Sequence, residues 1–319
     1  MRYGLTGATG FVGGVLARRL RDGGHDVVAL VRDPARAGRL AGLGVELVAG
    51  DLSDNLALEQ VCTGADGFFH VAGWYKVGSR NPREGWRVNV DGTRNALDAA
   101  QRAGVPRVVY TSTLAVNSDT GGAVVDESYR FTGKHLSTYD ETKAAAHDVA
   151  LEFAAAGLPV VVVMPGLVYG PGDTALTGSL IRNVVAGRTV VVPARCAVCW
   201  GHVEDIAAGH VLAMSKGVPG SSYMLAGPPA RLVDGLRRVA SIAGAKRPIA
   251  LPTPAVALTA RLIGLVGRVV PVPPGYAAES LRAGLATYYG TPEKAVRELG
   301  WTFRNLGDGL TDTVRALRS

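Results

Sequence analysis

Cysteine is scarce: Cys62, Cys196 and Cys199 are the only three in a chain of 319 residues. Three thiols cannot all pair within one chain, so a disulfide framework is not what holds the fold together. Cys196 and Cys199 form a C-x-x-C, but a tetrahedral zinc site needs two further ligands and only His202 is close in sequence. They read as ordinary, partly buried thiols, and no metal is expected. Long apolar runs are also lacking. None reaches the ~18 residues that a membrane span requires, and the stretch 255–270 is broken by Arg261, Gly264 and Arg268. It reads as an amphipathic or buried helix. No signal peptide is visible, since a strand-like run begins at Arg2, so a cytoplasmic protein is expected. The net charge of +7 is scattered, and aromatic residues, at 6%, do not interleave with it. Nucleic acid is therefore not the expected partner, and a polyanionic small ligand is simpler. There is no internal repeat and no low-complexity tail.

What is present is a chain 47% hydrophobic with 42 glycines, enough for a sizeable core and for close approaches of backbone to backbone or ligand. Short β-rich runs at 2–5, 27–31, 45–48, 67–71, 107–110 and 160–164 alternate with helical stretches at 10–23, 35–43, 56–62, 86–103 and 137–156. The run at 160–164 is continuously apolar, as in a strand buried on both faces. Strands separated by such helices are βαβ units. The expected fold is α/β: a Rossmann-type doubly wound parallel sheet with a smaller, mostly helical C-terminal substrate lobe. The rhythm changes after Pro165, where Gly and Pro become frequent; a helix near 203–214 and a strand at 222–225 return to the first pattern. Residues 1–165 with a return segment near 201–226 are expected to form the cofactor domain. Residues 166–200 and 227–319 are expected to form the substrate lobe, with the cleft between them as the binding site.

Gly7, Gly10 and Gly13 are spaced G-x-x-G-x-x-G between the first strand and the first helix. Such a loop needs Gly at the tight turn, Gly where backbone nears a pyrophosphate, and Gly where helix meets strand. Thr9, Phe11 and Val12 share that loop, whose N–H groups face anions at the helix start. The end of the second strand separates the two dinucleotides. An acid there suits the ribose 2′-OH of NAD, and an Arg suits the 2′-phosphate of NADP. Arg32 stands at that place, followed by Arg36 and Arg39, so NADP(H) is expected ahead of NAD(H). Asp33 could serve the 2′-OH by a small shift.

Tyr139 and Lys143 lie four apart at the start of a helix, which places them on one face. An ammonium beside a phenol favours phenolate and is expected to lower the Tyr pKa from ~10. A Tyr so tuned exchanges protons with a carbonyl or alcohol oxygen.

With these motifs in order, the sequence resembles the extended short-chain dehydrogenase/reductase superfamily, the NAD(P)-dependent epimerase/dehydratase family. The match runs through 6–13, Gly50-Asp51-Leu52, His70-Val71-Ala72-Gly73, 89–93, 110–113, Tyr139 with Lys143, 165–172, 202–205 and 294–301, nearly the whole chain. The resemblance implies that Asp51 and Leu52 flank the adenine, and that Val71, Ala72 and Gly73 line the cofactor. It implies that Lys143 holds the nicotinamide ribose, with Pro165, Gly166 and the backbone to Val168 beside the nicotinamide. Thr113 takes the place of the family's catalytic Ser/Thr, with Ser112 the alternative if the register slips by one. Asn89 reads as a structural support.

Dehydratases of the family carry an Asp-Glu pair where this chain has Leu114 and Ala115, so dehydration is set aside. Galactose-type epimerases carry Asn-Pro where this chain has Met164-Pro165. The run 31–34 is similar to the dihydroflavonol-reductase-like group, which reduces ketones or aldehydes with NADPH. That implies a small-molecule carbonyl or alcohol substrate. An NAD-dependent nucleotide-sugar epimerase and a non-catalytic NADP-binding sensor remain as alternatives. Trp74, Tyr75, His135, Tyr169 and the segment 174–200, with Val190, Val192, Val198 and Trp200, are expected to line the substrate pocket. Oligomeric state stays open between a monomer and a homodimer built on the helices at 86–103 and 137–156.

Overall fold

The structure, a computed structural model, describes residues 1–75, 77, 81–266 and 278–318. The elements run β1 (Arg2–Thr6), α1 (Phe11–Asp22), β2 (Asp26–Val31), α2 (Gly38–Gly42), β3 (Glu46–Ala49), α3 (Asn55–Cys62), β4 (Gly67–His70), α4 (Pro82–Gly85), α5 (Gly92–Arg102), β5 (Val108–Thr111), α6 (Thr138–Ala155) and β6 (Val160–Pro165). Then follow β7 (Leu167–Tyr169), α7 (Leu176–Val185), β8 (Val191–Pro193), β9 (Ala197–His202), α8 (Val203–Lys216), β10 (Ser222–Leu225), β11 (Pro229–Arg231), α9 (Leu232–Ala243), β12 (Ile249–Leu251), α10 (Thr253–Val266), α11 (Ala278–Ala283), β13 (Thr287–Tyr288) and α12 (Leu306–Ala316). Of the apolar stretch 255–270, residues 267–270 lie outside the described residues.

Seven strands form one sheet in the order β10-β6-β5-β4-β1-β2-β3, and every neighbouring pair is parallel. Side chains in a strand alternate between faces, and this splits the Val-rich runs between two cores. Val108, Tyr110, Val160 and Val162 enter the core with Phe68, Leu97 and Ala146, on the side of α3, α5 and α6. Val109, Val161 and Val163 enter the core with Leu5, Phe69, Leu16 and Ile206, on the side of α1 and α8. Continuously apolar strands are what a sheet covered on both faces demands.

Helix starts follow local chemistry. Ser137 caps α6 by accepting from the Asp140 N–H, and Asp54 caps α3 through Ala57 N–H. Between α4 and α5 the helix opens into one π-turn over Trp86–Asp91, a distortion often found near functional sites.

The chain order reverses between β1 and β4, so the loops leaving these two strands diverge around a crevice at the sheet's C-terminal edge. After β6 the chain leaves the sheet, returns through α8 to lay β10 on its edge, and leaves again. The remainder is largely helical and carries two small sheets. In one, β9 pairs with β7, β11 and β13; in the other, β8 pairs with β12. A third core lies here, built from Ile181, Val184, Trp200, Leu236, Val239 and Leu310.

Candidate active site

The loop after β1 is shaped by what glycine lacks. Gly7 has φ +77°, and a Cβ there would stand 2.6 Å from Ala72 N. A Cβ on Gly13 would stand 2.1 Å from the Gly7 carbonyl oxygen. Strand, turn and helix thus meet at contact distance, with Ala72 and Val71 of the loop after β4 against the turn. Gly10 opens α1 without any side-chain cap, leaving the first N–H groups of the helix pointing out of its end. That uncapped cradle fits a pyrophosphate. Thr9, Phe11 and Val12 stand at its rim, exposed or half-buried.

At the end of β2, Arg32, Arg36 and Arg39 are exposed. Among the described residues, none of the three holds a carboxylate in an ion pair. Asp33 is differently placed: its Oδ1 accepts from Ala35 N–H at 3.1 Å and starts a short turn at Pro34–Arg36. Asp51 accepts from the Ser53 backbone and hydroxyl, bonds that hold its carboxyl below the usual range, with help from Arg87 and Arg32. Leu52 packs on Gly92, where a Cβ would meet it at 2.7 Å.

Beyond β4, Asn89 in the π-turn accepts from Trp74 N–H at 2.6 Å and donates to the Trp74 carbonyl and to Thr142. The backbone after Gly73 is thereby tied to both α6 and the π-turn. Gly166 stands between β6 and β7: a Cβ on it would lie 2.2 Å from the Cys199 carbonyl oxygen, so only Gly lets β9 approach the end of β6 after Pro165. Val168, half-buried, pairs in β7 with Gly201.

Thr113, Tyr139 and Lys143 are brought together. Thr113 follows β5 and accepts from Ala115 N–H at 3.2 Å. Its hydroxyl lies near enough to the Tyr139 phenol to pull the phenol's pKa down. Lys143, one turn along α6, is buried; its Nζ donates to the Thr111 carbonyl at 2.7 Å and to the Tyr110 hydroxyl at 3.1 Å.

The expected lowering of the Tyr139 pKa is not found in the protein by itself. Burial of the phenol pushes it up to about 12, Thr113 pulls it down and Asp140 adds to the rise. Lys143 is pushed down to about 7 by burial. The Lys ammonium engages Tyr110 and Thr111 rather than Tyr139, and desolvation outweighs its field.

The candidate substrate residues are dispersed. Tyr169 is fully buried, edge-on to Trp200 and His202 at 5.4 Å, and Gly309 of α12 closes over its hydroxyl. It belongs to the third core, as do Trp200, Val190, Val192 and Val198, and these are withdrawn from the pocket. Pairing of β7 with β9, and of β8 with β12, turns them inward. Ser112 points the other way from Thr113, as successive residues in extended chain do, and its hydroxyl bonds His147 Nδ1 at 2.8 Å. Trp74 is buried on Gly85, His135 is half-buried with its ring 5.1 Å from Phe131, and Tyr75 is 64% exposed. Residues to which the sequence reading gave no role also converge here: Tyr110 and Thr111 of the 110–113 motif on Lys143, and Asp140, whose carboxylate accepts from Tyr288 at 3.3 Å. Their part in the site shows only in their contacts, with Lys143 for Tyr110 and Thr111 and with Tyr288 for Asp140.

Two independent likenesses define the class. The NAD dependent epimerase/dehydratase family matches residues 4–226, and this chain belongs to that family. A putative dihydroflavonol 4-reductase of Synechocystis sp. is 33% identical, over 97% of this chain and 92% of its own length. The sterol demethylase protein B of Methylococcus capsulatus is 35% identical, over 78% of this chain and 76% of its own. Among solved structures, that of gox2253 superposes with a TM-score of 0.86 at 32% identity, over 100% of this chain and 98% of that one. The chain is an enzyme of the extended short-chain dehydrogenase/reductase type.

Proposed function

We propose that this chain is an NADP(H)-dependent reductase that converts a ketone or aldehyde to an alcohol. The observation that carries the reading is Thr113 placed where it pulls the Tyr139 pKa down, with Lys143 one turn further along α6, next to positions 114 and 115 that hold Leu and Ala. The set can move one proton at an oxygen and has no neighbouring acid–base pair for water elimination. Being similar to a putative dihydroflavonol 4-reductase over nearly its whole length supports reduction over epimerisation.

When bound, the dinucleotide supplies the hydride. Tyr139, held up near 12, is a neutral phenol at neutral pH, the form that donates its proton to a carbonyl oxygen as charge develops there. Thr113 donates a second hydrogen bond to that oxygen and orients it. Lys143 places a positive charge beside the nascent phenolate. Gly7, Gly10 and Gly13 with the start of α1 hold the pyrophosphate. Asp51 and Leu52 flank the adenine, and Val71, Ala72, Gly73, Pro165, Gly166 and Val168 line the nicotinamide half. Arg32 and Arg36 take the 2′-phosphate. Among the described residues neither Arg32 nor Arg36 forms an ion pair with a carboxylate, and the Asp33 carboxylate is committed to Ala35 N–H; both support NADP(H) over NAD(H).

Residues 1–165 with 201–226 act as the cofactor domain, and 166–200 with 227–319 as the substrate lobe. No helix among the described residues is long and apolar enough to cross a membrane, in keeping with a cytoplasmic enzyme. The outer sides of α5 and α6, tied by Arg94–Glu152 at 3.1 Å, are the face for a homodimer, which light scattering tests.

The deciding experiment is turnover of NADPH against a panel of ketones and aldehydes by wild type and Tyr139→Phe. Loss of the proton donor is expected to lower kcat by about 10²–10⁴-fold with NADPH binding kept. A Tyr139→Phe enzyme with near-full activity refutes the assignment. Tight retention of NAD(H) without reductase turnover, and conversion of nucleotide sugars, points instead to epimerisation.

A further inference from the structure

Outside the seven-stranded sheet the chain carries its charge unevenly. No Asp or Glu occurs in residues 174–203 or in residues 235–278, and these two stretches hold nine Lys and Arg, more than the net +7 of the whole chain. The strands β8 and β12, one from each stretch, pair in parallel, with Ile249 beside Val191 and Leu251 beside Pro193. Two acid-free stretches, distant in sequence, are thereby brought to one place. Successive side chains of a strand take opposite faces. Val192 turns into the third core, while Val191 and its partner Ile249 face out, 50% and 52% exposed.

α10 begins two residues after β12 and contains no acid. Val256 and Ala260, one turn apart, are buried, whereas Leu258 and Leu262, also one turn apart, are 59% and 54% exposed. Four-residue spacing puts each pair on its own side of the helix. A helix that is apolar on both sides is ordinarily covered on both, yet the outer side of this one meets solvent. Arg261, three residues after Leu258, shares that outer side and is exposed. Lys246 and Arg247 lead into β12 and Arg188 leads into β8, all three exposed. Arg188 donates to the Asn183 side chain. Among the described residues, none of these four cations forms an ion pair with a carboxylate.

We infer that the outer side of α10, with Val191 and Ile249, docks on the surface of a bilayer that contains anionic lipid. Exposed aliphatic side chains suit the boundary of headgroups and acyl chains, and cations without neighbouring acids suit anionic headgroups. The helix lies on the membrane and does not cross it: its 14 residues fall short of the ~20 that a span requires. Charge decides against a second copy of the chain. A two-fold contact sets a patch against itself, which would bring Arg188, Lys246, Arg247 and Arg261 onto their own equivalents with no carboxylate to meet them. Nucleic acid would use the cations and leave the leucines in water. The docking stands apart from the proposed reductase function. Taken together with it, the lobe proposed to bind the carbonyl compound rests against an apolar reservoir.

Sedimentation of the full chain with vesicles tests this. Vesicles of phosphatidylcholine with about one-third phosphatidylglycerol should carry the protein down, and pure phosphatidylcholine should carry far less. Added salt should weaken the binding, because it screens the cations. Lys246→Gln with Arg247→Gln should lower partitioning about tenfold or more, each cation near an anionic surface being worth about fivefold. Leu258→Ser with Leu262→Ser should lower it about tenfold or more as well, with the thermal unfolding midpoint kept because both side chains face out. Leu56→Ser, on α3 and 81% exposed, should leave it unchanged. Failure of the wild type to bind anionic vesicles overturns the inference, and so does equal binding to neutral ones. Binding that the leucine variant keeps, or that Leu56→Ser loses equally, overturns the placement on α10. A dimer seen by light scattering that Leu258→Ser with Leu262→Ser dissociates gives the face to a second copy and overturns the docking. Vesicle binding is read without turnover, so a fully active Tyr139→Phe sinks the reductase reading and leaves the docking standing.

Discussion

Asp140 should make the protein less stable as pH rises, and Asp140→Asn should remove that loss. The side chain is 2% exposed, next to Tyr139 in the first turn of α6. Burial pushes its pKa up to about 6 from 3.8; Ser137 and Tyr288 pull it down and Glu279 adds to the rise. A folded pKa above the unfolded one means that the neutral acid is favoured in the fold. Its contribution is whole below about pH 4 and is lost as pH rises through about 6. A displacement of roughly two units corresponds to about 3 kcal/mol at pH 8. Asparagine keeps an acceptor for Tyr288 and never ionises. Asp140→Asn should therefore gain stability over wild type by up to about 3 kcal/mol at pH 8, and the gain should vanish at pH 4. Urea unfolding at pH 4, 6 and 8, read by tryptophan fluorescence, measures it. The helix start favours a carboxylate by less than about 1 kcal/mol, too little to reverse the sign. A difference between the two proteins that is the same at all three pH values would refute the reasoning.

Other expectations are more direct. Arg32→Asp should weaken NADPH binding about tenfold or more, from loss of a charge-assisted contact, and narrow the gap to NADH; calorimetry with both cofactors decides it. Gly13→Ala drives a Cβ to 2.1 Å from the Gly7 carbonyl, so cofactor binding should fall below detection while circular dichroism stays close to wild type. The thiols should resist a disulfide reagent in the native state, because all three are buried and burial pushes Cys62 and Cys196 up to about 12. Rapid reaction of even one thiol would contradict that placement.

Much of this protein is readable along the chain. The parallel sheet follows from runs such as 160–164, because a strand covered on both faces has no place for polar alternation. The cradle at Gly7, Gly10 and Gly13 is equally local: a turn, a helix start and three missing Cβ atoms within seven residues. Tyr139 and Lys143 share a face because a helix puts residues four apart together. Ser137 as the cap of α6 is local in the same sense.

The rest depends on which distant residues are pressed together. Tyr169, Trp200 and Val198 look like pocket aromatics and aliphatics in sequence, yet strand pairing of β7 with β9 buries them in a core of their own. The two small sheets of the lobe use strands of 2 to 6 residues, too short for periodicity to announce. The direction of the Tyr139 shift was also out of reach. Four-residue spacing brings a positive charge near a phenol, but burial decides the pKa of both, and burial is a property of everything packed around them. Likewise nothing near His70 in sequence links it to Lys143. The two are drawn together only by the packing of β4, β5 and α6, where the buried Lys143 helps push the His70 pKa down.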